Sequence, residues 1–363
     1  MKKRILFVDD EQRALDGLRR MLYSLRGEWD VEFAIEGEKA LSILESHPFD
    51  ALVTDLRMPG MDGHTLLQIA QKRHPGMVRL VLSAFAPRLT VFSLLPHAHG
   101  FLVRPCDSNM LIATLSRRLA LRELMGTDRV RAMVLGIGTL PVMPETLEHL
   151  VTVVTSADPS SEHLEELVMS DVALTAELLR FTFFIIERIP SIEASAATAL
   201  ASVRHADLNE MLTAHIFHAL PETVVKRFEV REWVTHGVAM AQAITEAFRN
   251  EGSYSNVPAD VLLTGFLHDI GQWVLLSAEP EPYADVWKRH RESGAPLHEI
   301  EKEVFGATHA EIAGFLLGFW GFPDSMVDAV SHHHSQPGFG ETVSSLRKAV
   351  YSAEAAALHA EKR

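Results

Sequence analysis

The sequence predicts two folds in series: a doubly wound α/β domain built on a five-stranded parallel sheet, then an all-α helical domain. Over roughly the first 120 residues, five short apolar runs alternate with five amphipathic stretches. That alternation is the pattern of a parallel sheet with both faces covered by helices. Beyond about residue 140 the apolar residues recur at helical spacing and strand candidates become few. A length of 363 residues suits two domains.

In order, Ile5–Val8, Val31–Ile35, Ala51–Thr54, Arg79–Ser83 and Phe101–Val103 read as strands. Glu11–Leu25, Gly37–Glu45, Gly63–Lys72, Leu89–Leu95 and Ser108–Leu124 read as the intervening helices. The last of these runs through SRRLALRELM and is expected to act as a linker, with Gly126, Gly136, Gly138 and Pro141 marking the boundary. The expected division is 1–120, a helical linker 121–131, a helical domain 132–340, and a C-terminal helix and tail 341–363. In the second half Thr146–Thr155, Ser161–Val168, Leu174–Ile186, Ser195–Val203, Trp233–Asn250 and Val261–Leu276 carry helical patterns. Tyr283–His290, Leu297–Phe305, His309–Phe319, Ser325–His332 and Thr342–His359 complete the series.

The net charge of −14 is uneven. Residues 1–125 hold 17 of the 34 Lys+Arg and 15 of the 48 Asp+Glu, leaving the remainder with a net charge of −16. Nucleic-acid binding draws on clustered cations that neutralise phosphates, so the acidic second half argues against a nucleic-acid output. No apolar run is free of charge over the length a membrane span needs, and the start lacks a signal-peptide pattern. The single cysteine, Cys106, excludes an intrachain disulfide. A cytoplasmic protein with no membrane association is expected.

In doubly wound sheets the site lies beyond the carboxyl ends of the strands. Asp9 and Asp10 follow the first strand, Asp55 the third, Ser83 ends the fourth and Arg104 follows the fifth. Three acids brought together repel one another and call for a hard cation such as Mg²⁺, which takes oxygen ligands. Phosphoryl transfer is mainly positioning and electrostatics, so an aspartate oxygen suffices as nucleophile, with a hydroxyl and a cation on the phosphoryl oxygens. Any one of these acids alone would be an ordinary acidic loop residue. Five suitable residues at successive sites are not.

These stretches, ILFVDD, VTDLRMPGMDG, LVLSAF and FLVRPCD, closely resemble the bacterial response-regulator receiver domain over about residues 1–125. The resemblance implies Asp55 as phosphoacceptor, with Asp9, Asp10, Asp55 and the Arg57 carbonyl around Mg²⁺. It implies Ser83 as switch hydroxyl, Phe101 as its aromatic partner, and a cis bond before Pro105. It also implies a sensor histidine kinase as partner. One departure stands out: the family has Lys before that proline, and this chain has Arg104. Arginine keeps the charge but is planar and longer, so altered kinetics or coupling are expected.

Fourteen of the 19 histidines follow residue 125. His236, His268 with Asp269, His309 and the run His332–His333–His334 stand out, because imidazole and carboxylate donors from several helices can house a transition metal or a dinuclear hydrolytic site. A lone histidine on an apolar helix is ordinarily a satisfied core residue; the HD pair with flanking histidines is less ordinary. TLPVMPETLEHL, SDVALTAELLRF, TGFLHDIGQWVL and FGATHAEIAGFLLGFWGFP with the following HH resemble the HDOD domain, a relative of HD phosphohydrolases, over about residues 132–335. The resemblance implies a signalling or scaffold module without established catalysis. The related HD-GYP branch is similar to metal-dependent phosphodiesterases that open cyclic di-GMP. Positions matching metal ligands are His236, His268, Asp269, His309, His332 and His333. Gln272 stands where the active branch has Lys, no GYP follows, and Glu354 stands where a late Asp is expected.

The expected function is a two-component response regulator phosphorylated on Asp55 that signals through the helical domain by contacts with an unidentified downstream protein. The change is expected to alter interdomain packing or homodimer formation. The alternatives are a phosphorylation-gated, metal-dependent phosphodiesterase acting on cyclic di-GMP, and a nucleotide sensor without turnover.

Overall fold

A computed structural model describes residues 2–84, 88–156, 166–186, 203–250, 259–336, 338 and 343–361. All but the last residue of the helix expected at 195–203, most of that expected at 161–168, and the tail residues Lys362 and Arg363 lie outside them. The chain divides into two compact units, one centred on Met1–Gly138 and the other on Thr139–Phe183 and Ile192–Arg363.

The first unit is a five-stranded sheet in the order β2-β1-β3-β4-β5: β1 (Lys3–Val8), β2 (Trp29–Ala34), β3 (Ala51–Thr54), β4 (Val78–Ser83) and β5 (Gly100–Val103). All pairs are parallel. The central strands are buried on both faces, which is why they read as unbroken apolar runs. Between them lie α1 (Gln12–Met21), α2 (Gly37–Ser46), α3 (Gly63–Arg73), α4 (Arg88–Leu94) and α5 (Ser108–Leu124). The expected first helix tightens at its end into a 3₁₀ turn, Leu22–Leu25. The chain leaves β1 for β2 on one side and returns to β3 on the other, so the winding reverses between β1 and β3.

The run expected as one linker helix is broken. α5 stops at Leu124, and α6 (Asp128–Gly136) starts afresh from a Thr127 cap that accepts from Val130 N. Buried Arg79 helps tie α6 down. Its guanidinium donates to the carbonyls of His97, Met77, Pro75 and Leu135, and Gln71 donates to the Gly136 carbonyl at 3.0 Å. A buried guanidinium needs such a ring of acceptors.

The second unit is helical among the described residues: α7 (Pro144–Thr155), α8 (Val172–Ile186), α9 (His205–Thr213), α10 (Glu222–Phe228), α11 (Val230–Asn250), α12 (Ala259–Leu267), α13 (Ile270–Ala278), α14 (Pro280–Ser293), α15 (Leu297–Phe305), α16 (His309–Phe319), α17 (Asp324–Ser331) and α18 (Ser345–Glu361). The SDVALTAELLRF stretch explains itself here. Asp171 accepts from Met143 N at 2.7 Å and Leu174 N at 2.9 Å, and Glu177 accepts from Leu140 N at 2.7 Å. Both acids are fully buried, and they clamp the entry segment onto α8 while Arg180 pairs with Glu177 and stacks on Trp320. Trp233 packs edge to face with both Trp273 and Trp287, anchoring the helices that carry them.

The expected helix Val261–Leu276 is split into α12 and α13 at His268–Asp269. Asp260–Ala278 is long and apolar enough, by length and composition, to cross a membrane, which charge counting along the sequence did not register. Yet 78% of that stretch is buried inside the fold, as in a core helix pair.

Candidate functional sites

The carboxyl edge of the first unit gathers the residues singled out there. Val8 pairs with Thr54, Thr54 with Val81 and Ser83 with Val103. The residues that follow Val8 and Thr54 therefore leave the sheet at the same level. Asp55 N donates to the Val8 carbonyl at 2.9 Å, and the Thr54 hydroxyl donates to the Asp55 carbonyl at 2.8 Å. Asp9 is 1% exposed, Asp55 half-buried, and Asp10 and Arg57 exposed. Ser83 and Phe101 are buried, and the Arg104–Pro105 peptide is cis, as the resemblance implies.

Backbone packing fixes Asp55. A Cβ on Gly63 would stand 1.9 Å from the Asp55 carbonyl oxygen, so the start of α3 approaches this loop more closely than any side chain permits. Gly63→Ala is expected to destabilise the first unit by about 3 kcal/mol or more, because the loop must move. A drop in the urea midpoint, together with weakened phosphoryl uptake, is the readout.

Hard oxygen donors on one edge suit Mg²⁺. Asp9 Oδ1 accepts from Glu11 N at 2.8 Å, whereas Oδ2 is buried without a hydrogen bond, as a ligand atom would be. Its charge is met by the Arg104 guanidinium, which forms an ion pair with it.

The second site lies wholly in the helical unit. α11 carries His236, the α12–α13 turn carries His268 and Asp269, α16 begins with His309, His333 and His334 follow α17, and α18 carries Glu354. Two donor groups meet at Asp269: His236 with His268, and His309 with His333 and His334. Asp269 Oδ2 lies 3.3 Å from His268 Nε2 and 3.8 Å from His236 Nε2. Its Oδ1 lies 3.2 Å from His309 Nε2 and 3.4 Å from His333 Nε2. One carboxylate therefore serves both groups. Glu354 Oε2 closes the first at 3.5 Å from His236 and 3.7 Å from His268. His309 and His334 Nε2 are 2.9 Å apart, close to the spacing of neighbouring ligands around one ion with bonds of about 2.1 Å.

The imidazoles are aimed. His268 Nδ1 donates to the Gly265 carbonyl at 2.7 Å, and His333 Nδ1 to Val330 at 2.8 Å. Each turns its Nε2 toward the cluster, the orientation metal-binding histidines adopt. His309 Nδ1 lies 2.6 Å from Glu301, which also accepts from His309 N at 2.8 Å. The Nε2 atoms of His268 and His333, Asp269 Oδ1 and Glu354 Oε2 are all buried without hydrogen-bond partners. A Cβ on Gly271 would stand 1.9 Å from the His309 carbonyl, and this close approach brings α13 against α16.

Electrostatics follow from that packing. Burial disfavours charge on His268, but the Asp269 and Glu354 carboxylates outweigh it and hold the imidazole up at about 9. Burial opposes protonation of His309 too, and Glu301 with Asp269 raises it well above the ordinary range. Burial lowers His333, and burial together with the neighbouring His333 and His309 lowers His334. Burial would raise Asp269, yet the imidazoles around it hold it well below the usual carboxylate range. The donor set of nitrogens and carboxylate oxygens suits a transition metal such as zinc or iron, and His268 and His309 would shed protons on ligation.

The structure corrects one expected ligand. His332 lies outside the cluster: its Nδ1 donates to the Asp328 carbonyl at 2.9 Å and its side chain is 44% exposed. α17 ends at Ser331, and the turn that follows rotates His333 and His334 inward instead. The His334, Glu301 and Tyr283 roles escaped the sequence reading. The HHH run offered His334, but nothing local chose among the three. Gln272 is buried at the back of the site, where the Tyr283 hydroxyl lies 3.4 Å from its Oε1 and 3.3 Å from Glu301 Oε1. Glu354 keeps a carboxylate in the cluster despite its departure from Asp.

Comparison with known proteins agrees with this division. A family model described as the response regulator receiver domain matches residues 5–116, and one described as the HDOD domain matches residues 140–336. Response regulator protein FleR of Pseudomonas aeruginosa is 30% identical over 129 residues, covering 35% of this chain and 27% of that protein. Response regulator MprA of Mycobacterium bovis is 33% identical over 149 residues, covering 41% and 63%. The chain thus spans less than two thirds of the length of either. A solved structure of the MmoQ response regulator from Methylococcus capsulatus is 25% identical, with a TM-score of 0.49 over 61% of this chain and 87% of that one. The chain belongs to the HDOD family and is a response regulator, its HDOD region preceded by a receiver domain.

Proposed function

We propose that Asp55 accepts a phosphoryl group from a sensor histidine kinase in the cytoplasm, and that the HDOD region passes the signal on through contacts with a downstream protein. The observation that carries this is the shared level at which the β1 and β3 ends deliver Asp9, Asp10 and Asp55, with Ser83 and Arg104 on the same edge. Asp9, Asp10, Asp55 and the Arg57 carbonyl would hold Mg²⁺, which supplies charge neutralisation for the acids and the incoming phosphoryl oxygens. Asp55 is the nucleophile. Ser83 and Arg104 then bind the phosphoryl oxygens, and Phe101 follows Ser83 inward. The working division stays 1–120, 121–131, 132–340 and 341–363. Phosphate uptake by the Asp55→Asn variant tests the assignment.

A second reading is favoured by the convergent, unpartnered donors of the helical unit. Here His236, His268, Asp269 and Glu354 would hold one metal, and Asp269, His309, His333 and His334 another. A metal pair there would supply Lewis-acid activation of a phosphoester. Hydrolysis of cyclic di-GMP also needs a cation for the substrate phosphates, and Gln272 provides none. We therefore propose that any metal held there would have a structural role in a signalling module. Cyclic di-GMP turnover that is lost in His268→Ala would instead establish the hydrolase.

A further inference from the structure

The sheet of the first unit ends on β2, which is its edge strand beside β1. Lys3 N donates to the Glu28 carbonyl at 2.9 Å and Asp9 N to the Ala34 carbonyl at 3.1 Å. Even-numbered residues of this stretch therefore turn their peptide groups to β1. Peptide groups alternate along a strand, so those of Trp29, Val31 and Phe33 point out of the sheet. Such an edge templates a further strand unless something blunts it. No proline interrupts β2, and its register with β1 is unbroken from Trp29 to Ala34.

A groove of about 610 Å³ runs along this edge. Consecutive residues from Trp29 to Phe33 all line it, so both faces of the strand contribute and the outer edge forms its floor. The other wall comes from Lys2, the end of α1 and the 3₁₀ turn after it. That wall is cationic and aromatic. The Arg19 guanidinium carbon lies 4.7 Å from the Phe33 ring centroid, and that of Arg26 4.2 Å from the ring of Tyr23, which is 60% exposed. Arg19 pairs with Asp16 at 3.2 Å, while Lys2 donates to the Arg26 carbonyl and Arg26 to the Tyr23 hydroxyl. The acids of β2 do not offset these cations. Alternation puts Asp30 and Glu32 on the opposite face, where they pair with Arg4 at 3.3 Å and His47 at 2.7 Å.

We infer that the β2 edge is a strand-addition site for an extended acidic segment of a partner protein. The backbone of that segment would bond to Trp29, Val31 and Phe33, and its carboxylates would meet Arg19, Arg26 and Lys2. Charge chooses this occupant over a second copy of the chain. Two β2 edges paired about a twofold axis would keep both α1 walls on one side of the joined sheet, setting each Arg19 and Arg26 against the same cations of the other copy. The site is independent of the Asp55 reading, since none of its residues belongs to the acid edge.

The test uses the full chain and a peptide of about eight residues that alternates glutamate with threonine. In an added strand that alternation puts the carboxylates on the α1 side and keeps the Asp30 side neutral. The control has the same composition with its glutamates in one block. The alternating peptide is expected to bind about tenfold more tightly than the block peptide. At saturation, amide exchange read by NMR should slow about tenfold at Trp29, Val31 and Phe33 and stay unchanged at Asp30 and Glu32, which already serve β1. Val31→Pro removes an outward N–H and leaves the β1 ladder intact, so it should weaken binding about tenfold. Arg19→Glu combined with Arg26→Glu changes only exposed side chains and should do the same, which keeps the test open if Val31→Pro does not fold. The inference is overturned by an absence of saturable binding, by equal binding of the block peptide, or by unchanged exchange at the three outward amides. A concentration-dependent dimer that either variant dissolves would overturn it too, giving the edge to a second copy.

Discussion

Asp55→Asn removes phosphate uptake from acetyl phosphate by at least about a hundredfold, while the chain stays folded. Asparagine matches aspartate in shape but offers no nucleophilic carboxylate. The contacts that fix this position belong to the backbone: Asp55 N on the Val8 carbonyl and the Thr54 hydroxyl on the Asp55 carbonyl. Stability should therefore shift by no more than about 1 kcal/mol. Acid-labile phosphate counted per chain, alongside a urea melt, checks both halves. Asp9→Asn should also reduce uptake while leaving the nucleophile in place, because it removes a cation ligand.

With metals held as in the second reading, Asp269→Asn is expected to empty both positions, whereas His236→Ala is expected to empty one. The reason is geometric: the two oxygens of Asp269 face different histidine pairs, while His236 belongs to a single group. Protein purified without chelator should carry about two metals per chain in the wild type, about one in His236→Ala and close to none in Asp269→Asn. Elemental analysis gives the count. The melting temperature should fall on chelation of the wild type, because ligands that bind only the folded state stabilise it. In Asp269→Asn chelation should change nothing.

The strands of the first unit were legible because a strand buried on both faces leaves an unbroken apolar run, and Asp9, Asp55 and Arg104 could be placed because they directly follow such runs. Arg79 shows where that reading stops. Nothing around it in sequence reveals that carbonyls from Pro75, Met77, His97 and Leu135 converge on its guanidinium. The short helices α6, α9 and α10 have too few turns to establish a period. In the second unit the HD pair and His309 were legible as unusual donors on apolar helices. The choice between His332 and His334 turned on where α17 ends, and helix ends are the least readable feature of a sequence. Glu354 looked like a departure because only the folded chain brings α18 to His236.

The central claim is that phosphate on Asp55 changes the state of the HDOD region. Hydrogen exchange of the full chain, with and without acetyl phosphate and Mg²⁺, tests it most directly, since exchange reports local opening free energies segment by segment. The account predicts altered protection in helices of residues 140–336 for the wild type and none for Asp55→Asn. Identical exchange in that region for phosphorylated and unphosphorylated wild type, with phosphate demonstrably on Asp55, would contradict it.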